Sequence, residues 1–179
     1  MRQRLLIGVT GPPGCGKTTA VERASELLKK NGFRVSGILT REVRVEGRRI
    51  GFDIIDVETG ASRPLARVSD EGGARLGKYR VYKENLDGFA TELLRGALAQ
   101  DVLVVIDEVG PMELMSQRFR QMLRQLLKEA KESLLTLHYY SRDPIVLEAR
   151  TAVSELIELR RGEAVAVAER IAKIFINNR

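Results

Sequence analysis

Apolar positions along the chain fall into blocks of two kinds that take turns. The first kind is short, continuous and bounded by turn residues: residues 5–9, 33–40, 102–106, 134–137 and 153–159. Runs of this length and composition predict strands buried on both faces. The second kind recurs every three or four residues. Ala20, Val21, Ala24, Leu27 and Leu28 share one face of a helix over residues 17–30, and Asn31-Gly32 supplies its stop. Leu86, Phe89, Ala90, Leu93, Leu94, Ala97 and Leu98 make a second stripe. Phe119, Met122, Leu123, Leu126, Leu127 and Ala130 make a third. A short helix is predicted over residues 144–150 and a closing helix over 163–176.

The middle of the chain breaks this rhythm. Residues 42–57 hold two extended runs about Glu46-Gly47-Arg48, with Phe52, Ile54 and Val57 set among polar residues, which predicts a β-hairpin. A short strand is expected near residues 62–66, a glycine-rich polar loop over 69–77, and another short strand over 79–82. Strands alternating with helices predict an α/β fold: a doubly wound, mainly parallel sheet flanked by helices, with the β-hairpin region of about residues 42–67 inserted.

Composition narrows the classes open to such a fold. A length of 179 residues favours one domain, residues 1–179, and 44% hydrophobic content is enough for a core without metal or disulfide support. The N-terminal apolar run lies between Arg2 and Arg4, as in a secretory leader. It is too short for one, and it leads into a glycine loop instead of a small-residue cleavage site. No apolar stretch approaches the length that spans a bilayer. The expectation is a cytoplasmic protein without membrane association. A single cysteine, Cys15, excludes an intrachain disulfide and a cysteine zinc cage. The net charge of +6 is compatible with a nucleic-acid partner. The basic residues are interspersed with acids, however, and aromatics are only 5%, a pattern that fits a solvated basic surface better.

Candidate chemistry begins right after the first predicted strand. Gly11-Pro12-Pro13-Gly14-Cys15-Gly16-Lys17-Thr18 matches G-x-x-x-x-G-K-[ST] in full. The glycines let successive N–H groups turn inward towards phosphate oxygens, and the following helix presents its positive end to the same anion. Lys17 is expected at the β- and γ-phosphates, and Thr18 is expected to offer its hydroxyl to Mg²⁺. The motif therefore predicts a P-loop NTPase. Cys15 holds a variable position; it reads either as a small filler or as a thiol made reactive by the helix end.

The strand over residues 102–106 runs into Asp107 and Glu108, the Walker B pattern. Asp107 is expected to hold Mg²⁺, and Glu108 to orient and deprotonate an attacking water. Arg41 reads either as a γ-phosphate neighbour or as a surface arginine. The cluster Arg41, Arg44, Arg48 and Arg49 reads either as an anion funnel or as a solvated hairpin edge. His138 at a strand end is open as a γ-phosphate sensor or a structural histidine, and Arg142 as a charge stabiliser.

Four stretches carry a resemblance. The P-loop sequence itself, Gly37-Ile38-Leu39-Thr40-Arg41-Glu42-Val43-Arg44, Gly47-Arg48-Arg49-Ile50-Gly51-Phe52-Asp53, and Asp107-Glu108-Val109-Gly110-Pro111-Met112-Glu113-Leu114 together resemble the THEP-type nucleoside-triphosphatases. Length and motif order fit along essentially the whole chain. The resemblance implies Mg²⁺-dependent hydrolysis of ATP, GTP, CTP and UTP with little base preference. It also implies two nucleotide-binding segments: Gly11 to Thr18, and Leu103, Val104, Val105, Ile106, Asp107, Glu108, Val109 and Gly110. The residues themselves agree on weak base selectivity, because no N-K-x-D guanine-reading motif is present. Two other readings share the P-loop: a nucleotide or nucleoside kinase, and a nucleic-acid-stimulated ATPase.

Overall fold

The computed structural model describes residues 3–179. Met1 and Arg2, at the start of the run weighed as a leader, lie outside it. The chain runs β1 (Leu5–Thr10), α1 (Lys17–Lys30), β2 (Val35–Val45), β3 (Arg48–Asp56), β4 (Ser62–Val68), β5 (Arg75–Leu76) and β6 (Tyr79–Val81). A helical segment follows, made of α2 (Lys83–Asn85), a π-turn (Leu86–Ala90) and α3 (Thr91–Leu98). Then come β7 (Leu103–Val109), a 3₁₀ turn (Glu113–Met115), α4 (Gln117–Glu129), β8 (Glu132–Leu137), α5 (Pro144–Ala152), β9 (Glu155–Glu158) and α6 (Ala164–Asn177).

All nine strands join one mixed, mostly parallel sheet in the order β5-β6-β4-β3-β2-β7-β8-β1-β9. The strands from β2 to β9 in that order are parallel. The remaining ones extend the sheet antiparallel beyond β2. Helices cover both faces. Leu103 and Val105 of β7 pack with Val21 of α1 and Ile171 of α6. Val104 and Ile106 pack into the opposite core with Leu94 of α3, Leu123 of α4 and Val146 of α5. A strand with both faces buried has no polar face to show, which is why β7 reads as a continuous apolar run.

The structure redraws three boundaries. The second predicted strand and the first arm of the hairpin are a single strand, β2. Its first half is buried and pairs with β7, while its outer half is largely exposed and pairs with β3. The polarity change near Thr40 records a change of surroundings along one strand. The hairpin region accordingly widens the main sheet and makes no layer of its own. The stripe from Leu86 starts earlier, at Lys83, and is interrupted by the π-turn, where Thr91 Oγ1 donates to the Leu86 carbonyl at 2.8 Å. The polar loop over 69–77 contains the two-residue strand β5.

One glycine sets the sheet's spacing at its centre. Gly37 has φ of +132°, and a Cβ there would sit 2.0 Å from the Val105 carbonyl oxygen. Only glycine lets β2 and β7 approach as they do. Parallel strands share a direction, so the carboxyl ends of β1, β7 and β8 lie on one edge, where open α/β sheets place their sites. Among the described residues no helix is long and apolar enough to cross a membrane.

Candidate active site

The loop between β1 and α1 carries its positive φ angles at Gly11, Gly14 and Gly16 (157°, 73° and 104°). At Gly11 a side chain would collide with the Leu159 carbonyl oxygen, 2.4 Å from the position of its Cβ. Lys17 folds back over this loop, and its Nζ donates to the carbonyls of Gly11 and Pro12 at 2.9 and 3.3 Å. Its cation thus sits at the mouth of the cradle.

Thr18, one residue on, points the other way. Its Oγ1 donates to Asp107 Oδ2 at 2.7 Å, joining the start of α1 to the end of β7. Asp107 is 1% exposed, and its other oxygen accepts from Thr136 Oγ1 on β8 at 2.6 Å. Thr40 on β2 closes the third side: its Oγ1 donates to the Asp107 carbonyl at 2.7 Å. Burial pushes the Asp107 carboxyl up, against the hydrogen bonds from Thr136 and Thr18. The Asp107–Glu108 peptide is cis. Burial and the neighbouring Asp107 raise Glu108 to about 7, and Lys17 pulls the other way. Glu113 is also buried, and its carboxyl lies well above the usual range through burial and the proximity of Glu108. Two threonine hydroxyls on a buried carboxylate beside two more acids make a cluster of hard oxygen donors. Such donors suit a small divalent cation held jointly with substrate phosphates and water. The Thr18 hydroxyl and the Asp107 carboxylate are the groups that would hold such a cation.

A cleft of about 570 Å³ opens over this cluster. Lys17, Thr18, Asp107, Glu108 and His138 line it together with Pro13, Gly14 and Gly16. His138 is therefore brought to the site. Its Nδ1 is buried without a hydrogen-bond partner among the described residues, and burial, then Lys17 and Arg150, holds its pKa below the ordinary value. Other expected residues lie elsewhere. Leu103, Val104, Val105, Ile106 and Val109 are buried in the two cores, so they position Asp107 and Glu108 without reaching the cleft. Cys15 turns its thiol into the core beside α6, in keeping with the small-filler reading. Arg142 is exposed and absent from the lining. Arg41 lines the cleft but is paired with Glu22 at 2.6 Å.

Several site residues went unassigned in the sequence. Thr136 is the one polar residue inside the apolar run over 134–137, and a lone hydroxyl in a doubly buried strand calls for a partner. Thr40 carried no comparable signal, because it lies where β2 turns polar. Arg150 is the inward-facing arginine of α5. It donates to the carbonyls of His138 and Tyr139 and to Thr10 Oγ1, and so fixes the end of β8.

Glycine cradle, lysine, hydroxyl and strand-end carboxylate, arranged on the carboxyl edge of a helix-covered sheet, define a P-loop NTPase. A family model described as NTPase matches residues 6–172. The nucleoside-triphosphatase THEP1 of Methanosarcina acetivorans is 42% identical over 173 residues, covering 96% of this chain and 97% of the relative. Two solved structures are also similar. A human cancer-related nucleoside triphosphatase has a TM-score of 0.82 at 33% identity, covering 98% of this chain and 99% of that one. THEP1 from Aquifex aeolicus has a TM-score of 0.80 at 29% identity, covering 95% and 98%. The chain belongs to this family of THEP1-type nucleoside-triphosphatases.

Proposed function

We propose that residues 1–179 act as one cytoplasmic domain that hydrolyses ATP, GTP, CTP and UTP to the diphosphate and phosphate, with Mg²⁺ and with little base preference. The observation that carries this reading is the Thr18–Asp107 hydrogen bond. It ties the hydroxyl of the phosphate loop to a buried strand-end carboxylate, with Lys17 and Glu108 in the same cleft. The names of the relatives point to the same reaction class.

The chain's own groups divide the work. The loop N–H groups and the N-terminus of α1 hold the phosphates. Lys17 leaves the Gly11 and Pro12 carbonyls and pairs with the β- and γ-oxygens. Thr18 and Asp107 would hold Mg²⁺, which would supply charge neutralisation at the phosphates. Glu108 accepts a proton from water as the water oxygen bonds to the γ-phosphorus and the bond to the diphosphate oxygen breaks. Thr18 and Asp107 are already fixed by their mutual hydrogen bond, so little reorganisation is needed there as charge develops on the leaving diphosphate. Most of the basic residues named from the sequence are already engaged: Arg44 and Arg49 pair with Glu42, and Arg41 with Glu22. That favours a solvated surface over a nucleic-acid track.

The test is phosphate release from the four triphosphates with Mg²⁺ present and then chelated. Release from all four that stops on chelation is expected. Release that persists at the same rate without a divalent ion would overturn the metal-dependent mechanism.

A further inference from the structure

Among the described residues two arginines line the cleft, Arg41 and Arg49, and they differ in freedom. Arg49 is held twice, with Nε donating to Tyr79 Oη and Nη1 to Glu42, each at 3.0 Å, and its guanidinium lies over the Phe52 ring. Arg150 is tied as firmly beneath the end of β8, and Arg142 is absent from the lining. Arg41 has a single partner among the described residues: Nη2 donates to Glu22 Oε1 on α1 at 2.6 Å. That pair stands in solvent, the Arg41 side chain being 60% exposed. An exposed ion pair gains little over the cost of holding two long side chains in one geometry, so it gives way to a stronger anion.

Strand alternation decides where Arg41 points. On β2, Ile38 faces the core under α3 and α4, and Leu39 faces the core under α1 and α6. Arg41 shares the parity of Leu39 and so lies on the α1 face. Its neighbour Thr40 holds the Asp107 carbonyl at 2.7 Å, which places Arg41 one residue from the acid cluster. On α1, Thr18 and Glu22 are four residues apart, hence on one face with roughly 5–6 Å between their Cβ atoms. Thr18 donates to Asp107, and Glu22 receives Arg41. The guanidinium therefore rests about one helical turn along α1 from the Thr18 hydroxyl.

Hydrolysis spreads negative charge over the γ-phosphate oxygens and the oxygen that leaves with the diphosphate. Lys17 meets that charge as a single compact ammonium. A guanidinium presents parallel N–H donors that match phosphate oxygens two at a time, and the terminal phosphate is a stronger anion than one solvated carboxylate. We infer that Arg41 leaves Glu22 when a nucleoside triphosphate binds and donates to the γ-phosphate, so that the chain supplies its own arginine to the charge developing in the reaction. The inference rests on the P-loop reading above. Arg41 is then a catalytic residue and Glu22 its resting partner. A diphosphate lacks the group that draws Arg41 away, so the pair with Glu22 re-forms once phosphate has left.

The experiment compares the parent with Arg41→Ala, Arg41→Lys and Glu22→Gln. Single-turnover phosphate release from ATP is measured with Mg²⁺. Binding of fluorescent ADP is titrated with Mg²⁺, with and without aluminium fluoride, which mimics the γ-phosphoryl group in transfer. Arg41→Ala is expected to lose turnover by about a hundredfold or more. Its affinity for ADP alone is expected to stay within about twofold of the parent, while the tightening caused by aluminium fluoride is lost. Arg41→Lys keeps the charge without the fork and is expected to fall between the two. Glu22→Gln breaks the same ion pair but leaves Arg41 in place, so its turnover is expected to hold or rise. A pair with a merely structural role would make Arg41→Ala and Glu22→Gln fall together and leave the fluoride response unaltered. That result, or a loss of less than about tenfold in Arg41→Ala, overturns the role of Arg41 and leaves the hydrolase reading standing. A parent protein that releases no phosphate overturns the hydrolase reading and the role of Arg41 with it.

Discussion

Asp107 and Glu108 are adjacent and both acidic, yet their surroundings differ: Asp107 is fully buried and Glu108 only partly so. Asp107 is held by Thr18 and Thr136, so its oxygens are fixed in direction. Among the described residues Glu108 has no side-chain hydrogen bond of that kind; its shift comes from burial and from Asp107. Asp107→Asn is expected to weaken metal-dependent nucleotide binding as well as turnover. Glu108→Gln, which keeps the shape and loses the base, is expected to leave binding little changed while turnover falls by about a hundredfold or more. Fluorescent nucleotide titration with single-turnover phosphate release separates the two, and parental turnover in Glu108→Gln would remove Glu108 from the mechanism. Lys17→Ala is expected to lose turnover by several orders of magnitude with the melting transition retained, since Lys17 is only partly buried and its Nζ bonds carbonyls of the loop. Thr136→Val keeps the volume of the side chain and removes the donor to a buried carboxylate. A loss of about 1–3 kcal/mol in denaturant unfolding is expected, and an unchanged stability would show that Thr136 does not support Asp107. Lys17, Thr18, Asp107 and Glu108 were legible because each belongs to a local motif. Thr40, Thr136 and Arg150 were not, because their partners lie 67, 29 and 12 residues away.

Elements are held in place here by a few fixed contacts between neighbours. Gly37 lets β2 lie against β7, and that approach carries Thr40 to Asp107. Gly37→Ala is expected to cost on the order of 3 kcal/mol in unfolding free energy and to reduce turnover with it, since the new Cβ would need the space of the Val105 carbonyl. On the other face, Arg120 of α4 makes a two-pronged pair with Asp143, at 2.8 Å for each bond, and Asp143 caps α5 through the Ile145 N–H. The Arg120 hydrogen bonds hold the Asp143 carboxyl below the usual carboxylate range. A depressed folded pKa gives stability that is present above the unfolded pKa and is lost as pH falls through the folded one. Asp143→Ala is therefore expected to lower Tm clearly near neutral pH, with the cap alone worth about 1 kcal/mol. The difference from the parent should begin to shrink near the unfolded carboxyl's pKa of about 4 and disappear as pH falls through the depressed folded one. A difference independent of pH would assign the effect to packing. The helices were readable from apolar spacing, and the register between them was not, because it depends on cross-element contacts such as this one.

For the whole molecule, the cleft lies where the parallel sheet meets its antiparallel extension, and in the proposed function the triphosphate is held there by its phosphates. Base discrimination is accordingly expected to stay within about tenfold across ATP, GTP, CTP and UTP, which is about 1.4 kcal/mol in the transition state. A thousandfold preference in competitive phosphate-release assays would overturn that expectation. The sequence by itself determined the α/β class, the order of strands and helices, the phosphate loop and the two acids. These depend on neighbours within a turn or a strand, so hydrophobic period and motif spacing report them directly. Only the tertiary structure decided that the hairpin region widens the main sheet and that Arg142 stays outside while Arg150 turns in. It alone showed the cleft running past Glu108 onto Phe52 and Leu65. Those outcomes rest on strand pairing and side-chain contacts between segments far apart in the chain. No local pattern encodes them, because the free energy that selects them comes from burying surfaces that meet only once the sheet has closed.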